Sequence, residues 1–147
     1  NHFGLGSAHT VKNYFSYLEE TYLIFSLNRF SYKPVETEKS DKKIYVIDNG
    51  LVNHVALKSS PDYGQIYENT VAIELLRRKS FNPQIELYYW KDVEHREVDF
   101  VMKQNLKVQQ LIQVCWNIQE INVKEREIKA LIKASKELQC NNLLVIT

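Results

Sequence analysis

From Leu87 to Trp116 the chain offers three extended runs in quick succession, and an acid stands in the middle of the second. Leu87-Tyr88-Tyr89-Trp90-Lys91 and Glu97-Val98-Asp99-Phe100-Val101-Met102 are rich in aromatic and β-branched residues and are separated by a short polar stretch, the pattern of a hairpin. Leu111-Ile112-Gln113-Val114-Cys115-Trp116 follows as a third strand. Side chains alternate faces along a strand, which predicts Glu97, Asp99 and Val101 on one side and Val98, Phe100 and Met102 on the other. On the third strand Ile112, Val114, Trp116 and Ile118 share one face, and Leu111, Gln113, Cys115 and Asn117 the other. Polar groups from two strands then meet in one shallow cleft.

With 147 residues, 44% hydrophobic and 25% charged, the chain is long enough for one globular core, or for one domain with a small appendage. The formal net charge is only +1 and no basic block occurs, which counts against tight nonspecific binding to nucleic acid. No apolar run approaches the roughly 18 residues that span a bilayer, and nothing near the start resembles a secretion signal, so a cytoplasmic protein without a membrane partner is expected. Cys115 and Cys140 have no second Cys or His two to four residues away, and His2, His9, His54 and His95 are scattered. Reduced thiols and no structural zinc are the consequence. The chain starts at Asn1 rather than Met and ends in the strand-like Leu143-Leu144-Val145-Ile146-Thr147, as a fragment would.

Thr10 is a candidate cap for a helix from Val11 to about Glu20, with Val11, Tyr14, Phe15, Leu18 and Tyr22 as its buried stripe. Leu23 to Arg29 and a second extended piece near Phe30 to Val35 flank the polar stretch Glu36 to Lys43, which leads into the strand Lys43-Ile44-Tyr45-Val46-Ile47. A helix followed by a hairpin with a basic tip is the back half of a winged helix. Asp48-Asn49-Gly50 signals a turn, and the segment to Pro61 reads as irregular or short helix. From Gly64 a helix runs to Arg77-Arg78-Lys79, its basic end matching the negative pole of the helix dipole. After the three strands, Ile128, Leu131, Ile132, Ser135 and Leu138 mark one face of a helix from about Val123 to Leu138, and Asn142 to Ile146 is a last strand. A strand joined through a helix to another strand implies a parallel crossover, hence an α/β mixed sheet with helices packed on it. The expected organisation is an N-terminal element over 1–47, a linker over 48–63 and an α/β domain over 64–147.

Glu68 lies early in its helix on the side shared by Val71, Ala72 and Leu75. With Asp99 it supplies two carboxylates suited to one Mg²⁺ or Mn²⁺, hard cations that prefer oxygen ligands, and such a metal would activate water for phosphodiester attack. The plainer readings are a first-turn acid at a helix dipole for Glu68, and a strand acid paired with Lys91 or Arg96 for Asp99.

Gly64-x-x-Tyr67-Glu68-Asn69-x-Val71, Tyr88-Tyr89-Trp90, Glu97-Val98-Asp99-Phe100 and Lys43-Ile44-Tyr45-Val46-Ile47-Asp48-Asn49-Gly50 resemble the carboxy-terminal region of a family of archaeal and bacterial AAA-type ATPases. In that family a P-loop ATPase domain precedes winged-helix elements and a domain of unknown function similar to PD-(D/E)XK restriction-endonuclease-like folds. Thr10-Val11-Lys12-Asn13-Tyr14-x-x-Tyr17-Leu18-Glu19-Glu20-x-Tyr22-Leu23 looks like the last winged-helix segment, and the matches run in the family's order over nearly the whole chain. The resemblance implies a PD-(D/E)XK nuclease-like core with Glu68 and Asp99 at its first two acidic positions, preceded by a partial winged helix. It then expects a carboxylate, one residue and a lysine on the next strand, where this chain has Gln113-Val114-Cys115. Glutamine brings no negative charge and cysteine no ammonium, and losing one such electrostatic group costs around 10² to 10³ in rate. Gln113 and Cys115 therefore make the catalytic set degenerate.

No Gly-x-x-x-x-Gly-Lys-Ser/Thr loop occurs, and Gly4-x-Gly6-Ser7 is too short to replace it, so ATP binding in the family's manner would belong to an upstream domain. The leading expectation is a non-catalytic accessory region of an ATPase that binds a protein partner, another copy of itself or DNA. Tyr88, Tyr89, Trp90 and Trp116 suit either an interface or a core. Lys12, Asn13, Arg29, Lys33, Lys39, Lys42 and Lys43 suit either phosphate contacts from a helix and wing or a solvated surface. The alternative is a metal-dependent nuclease using Glu68 and Asp99, with Lys91, or less well Lys107, replacing the missing lysine.

Overall fold

The computed structural model describes residues 8–51, 62–116 and 121–147. His2, His54, Gly4, Gly6, Pro61, Asn117 and Ile118 lie outside them, as does most of the expected linker.

Helix α1 (Ala8–Glu20) ends in a left-handed turn. The Leu23 amide donates to the Leu18 carbonyl and the Tyr22 amide to that of Glu19, with Tyr22 at φ 56°. This pairing satisfies terminal carbonyls and sends the chain directly into strand β1 (Ile24–Asn28). Thr10 falls inside the helix, so the expected cap is not there. The expected buried stripe is also largely exposed, with Tyr14, Phe15, Leu18 and Tyr22 all facing solvent, because α1 rests chiefly on the short β1.

Strand β2 (Lys42–Val46) pairs antiparallel with β1. Between them Pro34–Lys39 forms a short helix, α2, where Phe30 to Val35 was expected to extend. Pro34 explains the difference: its fixed φ suits the first helical position, and its missing amide is one a helix start does not use. The β1–β2 pair is tied to the rest of the molecule by the Phe30 amide, which donates to the Tyr89 carbonyl at 2.7 Å, and by the Tyr89 hydroxyl, which donates to the Asp41 carbonyl at 2.7 Å.

Helix α3 (Tyr63–Phe81) is capped by the Asp62 carboxylate, which accepts from the Gln65 amide, and carries Arg78 and Lys79 in its last turn. Then come β3 (Ile85–Lys91), β4 (Glu97–Gln104), β5 (Lys107–Val114), helix α4 (Ile121–Leu138) and β6 (Leu143–Ile146). The sheet order is β3-β4-β5-β6, antiparallel except for the parallel β5–β6 pair that the α4 crossover joins. This is the mixed α/β sheet the sequence pattern predicts. No helix among the described residues is long and apolar enough to cross a membrane.

Two cores lie on opposite faces of the sheet. Ala130, Leu131, Ala134 and Leu138 of α4 close over Trp90, Val98, Val101 and Leu111 on one face. Ala72 and Leu75 of α3, with Leu27 and Tyr45 from the β1–β2 pair, close over Leu87, Tyr89, Phe100 and Ile112 on the other. Of the aromatics weighed as an interface, Tyr89 and Trp90 are core, Tyr88 packs at its edge, and Trp116 is exposed.

Asn69 joins α3 to β2. Its side-chain carbonyl accepts from the Val46 amide and its amide donates to the Val46 carbonyl, both at 2.9 Å, with a further bond to Asn49 at 2.8 Å. An Asn69→Leu substitution leaves these half-buried backbone groups without their side-chain partner and is expected to cost about 2–3 kcal/mol. Urea denaturation checks this, and an unchanged midpoint would show that the clamp contributes nothing.

Candidate functional site: a lysine enclosed by three carboxylates

The backbone of β4 breaks step at Asp99. Tyr88 stands opposite Val101 and Trp90 opposite Val98, so Asp99 and Phe100 together face the single residue Tyr89. This is a β-bulge, and its extra residue re-aims the side chains around it. Val98 and Val101 both join the α4 core, while Phe100 joins the α3 core. Strict alternation, which put Val101 with Asp99 and Val98 with Phe100, fails here for that reason.

The carboxylate of Asp99 turns toward β2 and meets Lys43. The Lys43 ammonium lies 2.9 Å from Asp99 Oδ1, 2.9 Å from Glu68 Oε1 and 2.7 Å from Glu97 Oε1. An ammonium has three N–H donors, and each has a carboxylate. Other donors complete the acids: the Tyr45 hydroxyl reaches Glu68 Oε1 at 2.7 Å, the Val114 amide reaches Asp99 Oδ2 at 2.9 Å, and Lys91 reaches Glu97 Oε2 at 3.1 Å. The Tyr89 ring lies 5.8 Å from the Lys43 ammonium. Lys43 and Tyr45 project together because they are two apart on β2, whereas Lys42 points outward and is exposed.

These contacts set the ionisation of the cluster. Burial pushes the Asp99 carboxyl up to about 6, with Lys43 opposing and Glu68 assisting, since one ammonium serves three acids. Burial alone would lower Lys43, but Asp99, Glu68 and Glu97 together hold it well above the ordinary lysine value. Burial and then Glu68 keep the Tyr45 hydroxyl protonated. Burial would raise Glu97, but Lys43 draws it below the usual carboxylate range. An acid with a raised pKa holds its proton in the folded protein where the unfolded chain has lost it. The Asp99 contribution therefore makes stability fall as pH rises from near 4 to about 6. Glu97 acts in the opposite sense only below its ordinary pKa. Urea midpoints compared across this window should decline in the wild type, and Asp99→Asn should flatten the decline. A slope identical in both proteins would assign it to other groups.

Gln113 is buried, but its side chain turns the other way, toward α4. Its amide donates to Glu127 Oε2 at 2.6 Å and its carbonyl accepts from the Asp99 amide at 3.3 Å. Cys115, also buried, lines the same cavity of ≈ 900 Å³ as Lys43, Glu68, Glu97 and Asp99. Glu68, Asp99, Gln113 and Cys115 are thus brought together, with the Gln113 oxygen already engaged.

The seven residues weighed for DNA contacts do not all face solvent, and Lys39 is exposed at the end of α2. Lys12 and Asn13 are exposed on α1, Lys33 pairs with Glu36 at 2.9 Å near the start of α2, and Lys42 is exposed on β2. Arg29, at the end of β1, is partly buried. Lys43, expected on a wing, is instead 19% exposed and holds the acid cluster. Asp99 pairs with neither Lys91 nor Arg96: Lys91 binds Glu97, and Arg96 binds Asp92 at 2.7 Å.

Two family profiles divide the chain. A domain of unknown function, DUF8612, matches residues 2–62, and another, DUF4143, matches residues 63–147, more than half of the chain. The chain belongs to the DUF4143 family. An uncharacterized protein of Methanocaldococcus jannaschii is 44% identical over 137 residues, 93% of this chain and 29% of that protein. An uncharacterized protein of Haemophilus influenzae is 30% identical over 117 residues, 78% of this chain and 27% of that protein. The chain spans less than a third of the length of these curated relatives. No solved structure matches it significantly. Glu68, Glu97 and Asp99 stand in the DUF4143 segment, whereas Lys43 and Tyr45 come from the DUF8612 segment.

The arrangement does not fit a divalent cation. The position between Glu68 and Asp99 is held by the Lys43 ammonium, and among the described residues no group of three or more His, Cys, Asp or Glu side chains is placed to hold a metal. Tyr45 and Glu97 were not read as site residues from sequence, and Lys43 was read only as a DNA contact. The Lys43-x-Tyr45 spacing on a strand was the available signal, since it puts an ammonium beside an aromatic that the core claims.

Proposed function

We propose that this chain is a non-catalytic accessory region of a longer AAA-type P-loop ATPase, in which a domain resembling the PD-(D/E)XK nucleases serves for binding and not for cleavage. The observation that carries the reading is the Lys43 ammonium within 2.9 Å of Glu68, Glu97 and Asp99, which closes the position a catalytic metal would need. Gln113 and Cys115, where the resemblance expects a carboxylate and a lysine, point the same way. The geometry favours a protein partner or a second copy of the chain over DNA. The cavity is lined by Asp62, Glu68, Glu94, Glu97, Asp99 and Glu127 against Lys43, Arg96 and Arg126, an acidic surplus that repels phosphates. Exposed Tyr14, Phe15, Tyr17 and Leu18 on α1 offer the kind of aromatic surface that contacts use.

A metal-dependent DNA nuclease is the second reading, favoured by one observation: Lys43, not Lys91 or Lys107, supplies an ammonium 2.9 Å from Asp99. Plasmid, linear duplex and single-stranded DNA incubated in Mg²⁺ or Mn²⁺ with the wild type and with Asp99→Ala separate the two. No cleavage by either protein is expected. Cleavage by the wild type that vanishes in Asp99→Ala would establish the nuclease. Light scattering and DNA titration at low salt test the binding role, which a strict monomer with no DNA affinity would strip of two of its three partners.

A further inference from the structure

We infer that this chain has two complementary ends through which it associates with itself: the basic, apolar-tipped end of one copy seats against the acidic cavity of another. The inference rests on the accessory-region reading above and chooses, among its partners, a second copy of the chain.

The polarity comes from three elements that run between the two ends. Helix α3 starts at the cavity with Gly64 and Glu68 and finishes on Arg77, Arg78 and Lys79. Strand β4 leaves the cavity at Glu97 and Asp99 and reaches Lys103, and β5 returns from Lys107 to Gln113 and Val114. Each of these strands has 8 residues, which at about 3.3 Å each keeps the ends roughly 25 Å apart. At the end away from the cavity Glu74 pairs with Arg77 and Arg78 at 2.8 Å and Glu86 pairs with Lys103 at 2.6 Å, while Lys79 and Lys107 are exposed. The helix dipole accounts for Arg78 and Lys79 in a last turn, but not for Lys103 and Lys107, which strands bring to the same place. Two apolar side chains stand out from these cations: Phe81, 78% exposed with Arg77 5.5 Å from its ring, and Leu106, 90% exposed in the β4–β5 turn. The cavity offers the counterpart, an acidic surplus with exposed Trp116, stacked on Tyr63, among its lining. Charge and apolar surface therefore match between unlike ends of two copies, and like ends repel. A nucleic acid would engage the basic end alone; a second copy supplies both an acceptor for that end and a donor for the cavity.

The test is sedimentation velocity of the chain at low and high salt, with a tip variant, Lys79→Glu/Lys107→Glu, and a rim variant, Glu94→Lys/Trp116→Lys, whose changes fall on exposed lining residues of the cavity. Wild type is expected to gain mass beyond the monomer as its concentration rises at low salt, and to lose it at high salt, where surface charges are screened. Each variant alone should stay monomeric. The two mixed in equal amounts should associate again, since the intact cavity of one meets the intact tip of the other. Lys12→Glu/Lys42→Glu, which changes the net charge as much as the tip variant but touches neither surface, should associate as wild type does. A monomeric wild type, association that survives in both variants, a mixture that stays monomeric, or loss of association in Lys12→Glu/Lys42→Glu would each overturn the inference. So would a monomeric wild type that binds duplex DNA at low salt through the residues of the tip variant. Should the Trp116 change prevent folding, Glu94→Lys alone serves as the rim variant. The two readings fail separately: cleavage that vanishes in Asp99→Ala ends the accessory-region reading whatever the mass, and a monomeric wild type leaves that reading its foreign protein partner.

Discussion

Replacing Lys43 with methionine is expected to remove about 3 kcal/mol of stability, the lower end of the range for breaking a buried ion pair. The lower end applies because the cluster retains some water: side-chain exposure is 25% at Glu68, 29% at Glu97 and 9% at Asp99. Methionine keeps the length and the apolar stem, so the change isolates the charge. Three acids then face one another with only Lys91 nearby, and the most buried of them, Asp99, must take up a proton or repel its neighbours. The triple variant Lys43→Met/Glu68→Gln/Asp99→Asn should recover much of the loss, since it removes the uncompensated charge along with the cation. Urea denaturation provides the measurement. A loss well under about 1 kcal/mol would mean that solvent screens the cluster as it does a surface pair.

Phe100→Ala should cost more, about 3–5 kcal/mol, as large-to-small changes in a packed core do. Phe100 is fully enclosed. It lies opposite Ile112 on β5, and its ring centroid is 5.7 Å from that of Tyr45. The cavity would open directly beneath the tyrosine that holds Glu68, so the substitution couples core packing to the site. Val108, only partly buried at the margin of the opposite core, is the contrasting position, where truncation to alanine should be milder. Thermal denaturation of both variants checks the order, and equal losses would deny that the bulge seats Phe100 as a keystone of the α3 core.

How much of this was legible follows from how far apart the interacting residues lie in the chain. The mixed sheet and the α4 crossover were legible because period-two and helical patterns are local, and each run from Leu87 to Ile146 stated its own period. Glu68, Asp99 and Gln113 were legible as polar residues breaking apolar patterns. The bulge was not, since nothing in Val98-Asp99-Phe100-Val101 distinguishes a continuous strand from one with an extra residue. Nor was the role of Lys43, which meets Glu68 and Asp99 across 25 and 56 residues of chain. Helix α1 was misread in a simpler way. Its aromatic spacing is amphipathic, but periodicity states only that two faces differ, and the described residues put nothing large enough against the apolar one.

The junction between residues 62 and 63, where one family profile ends and the next begins, is a boundary of sequence inheritance that the acid cluster straddles. The positive member belongs to the first segment and all three negative members to the second. A graft that moved residues 63–147 onto an unrelated leader would carry an unbalanced charge with it. The second segment without the first would need another cation, or a proton on Asp99, to balance its three acids.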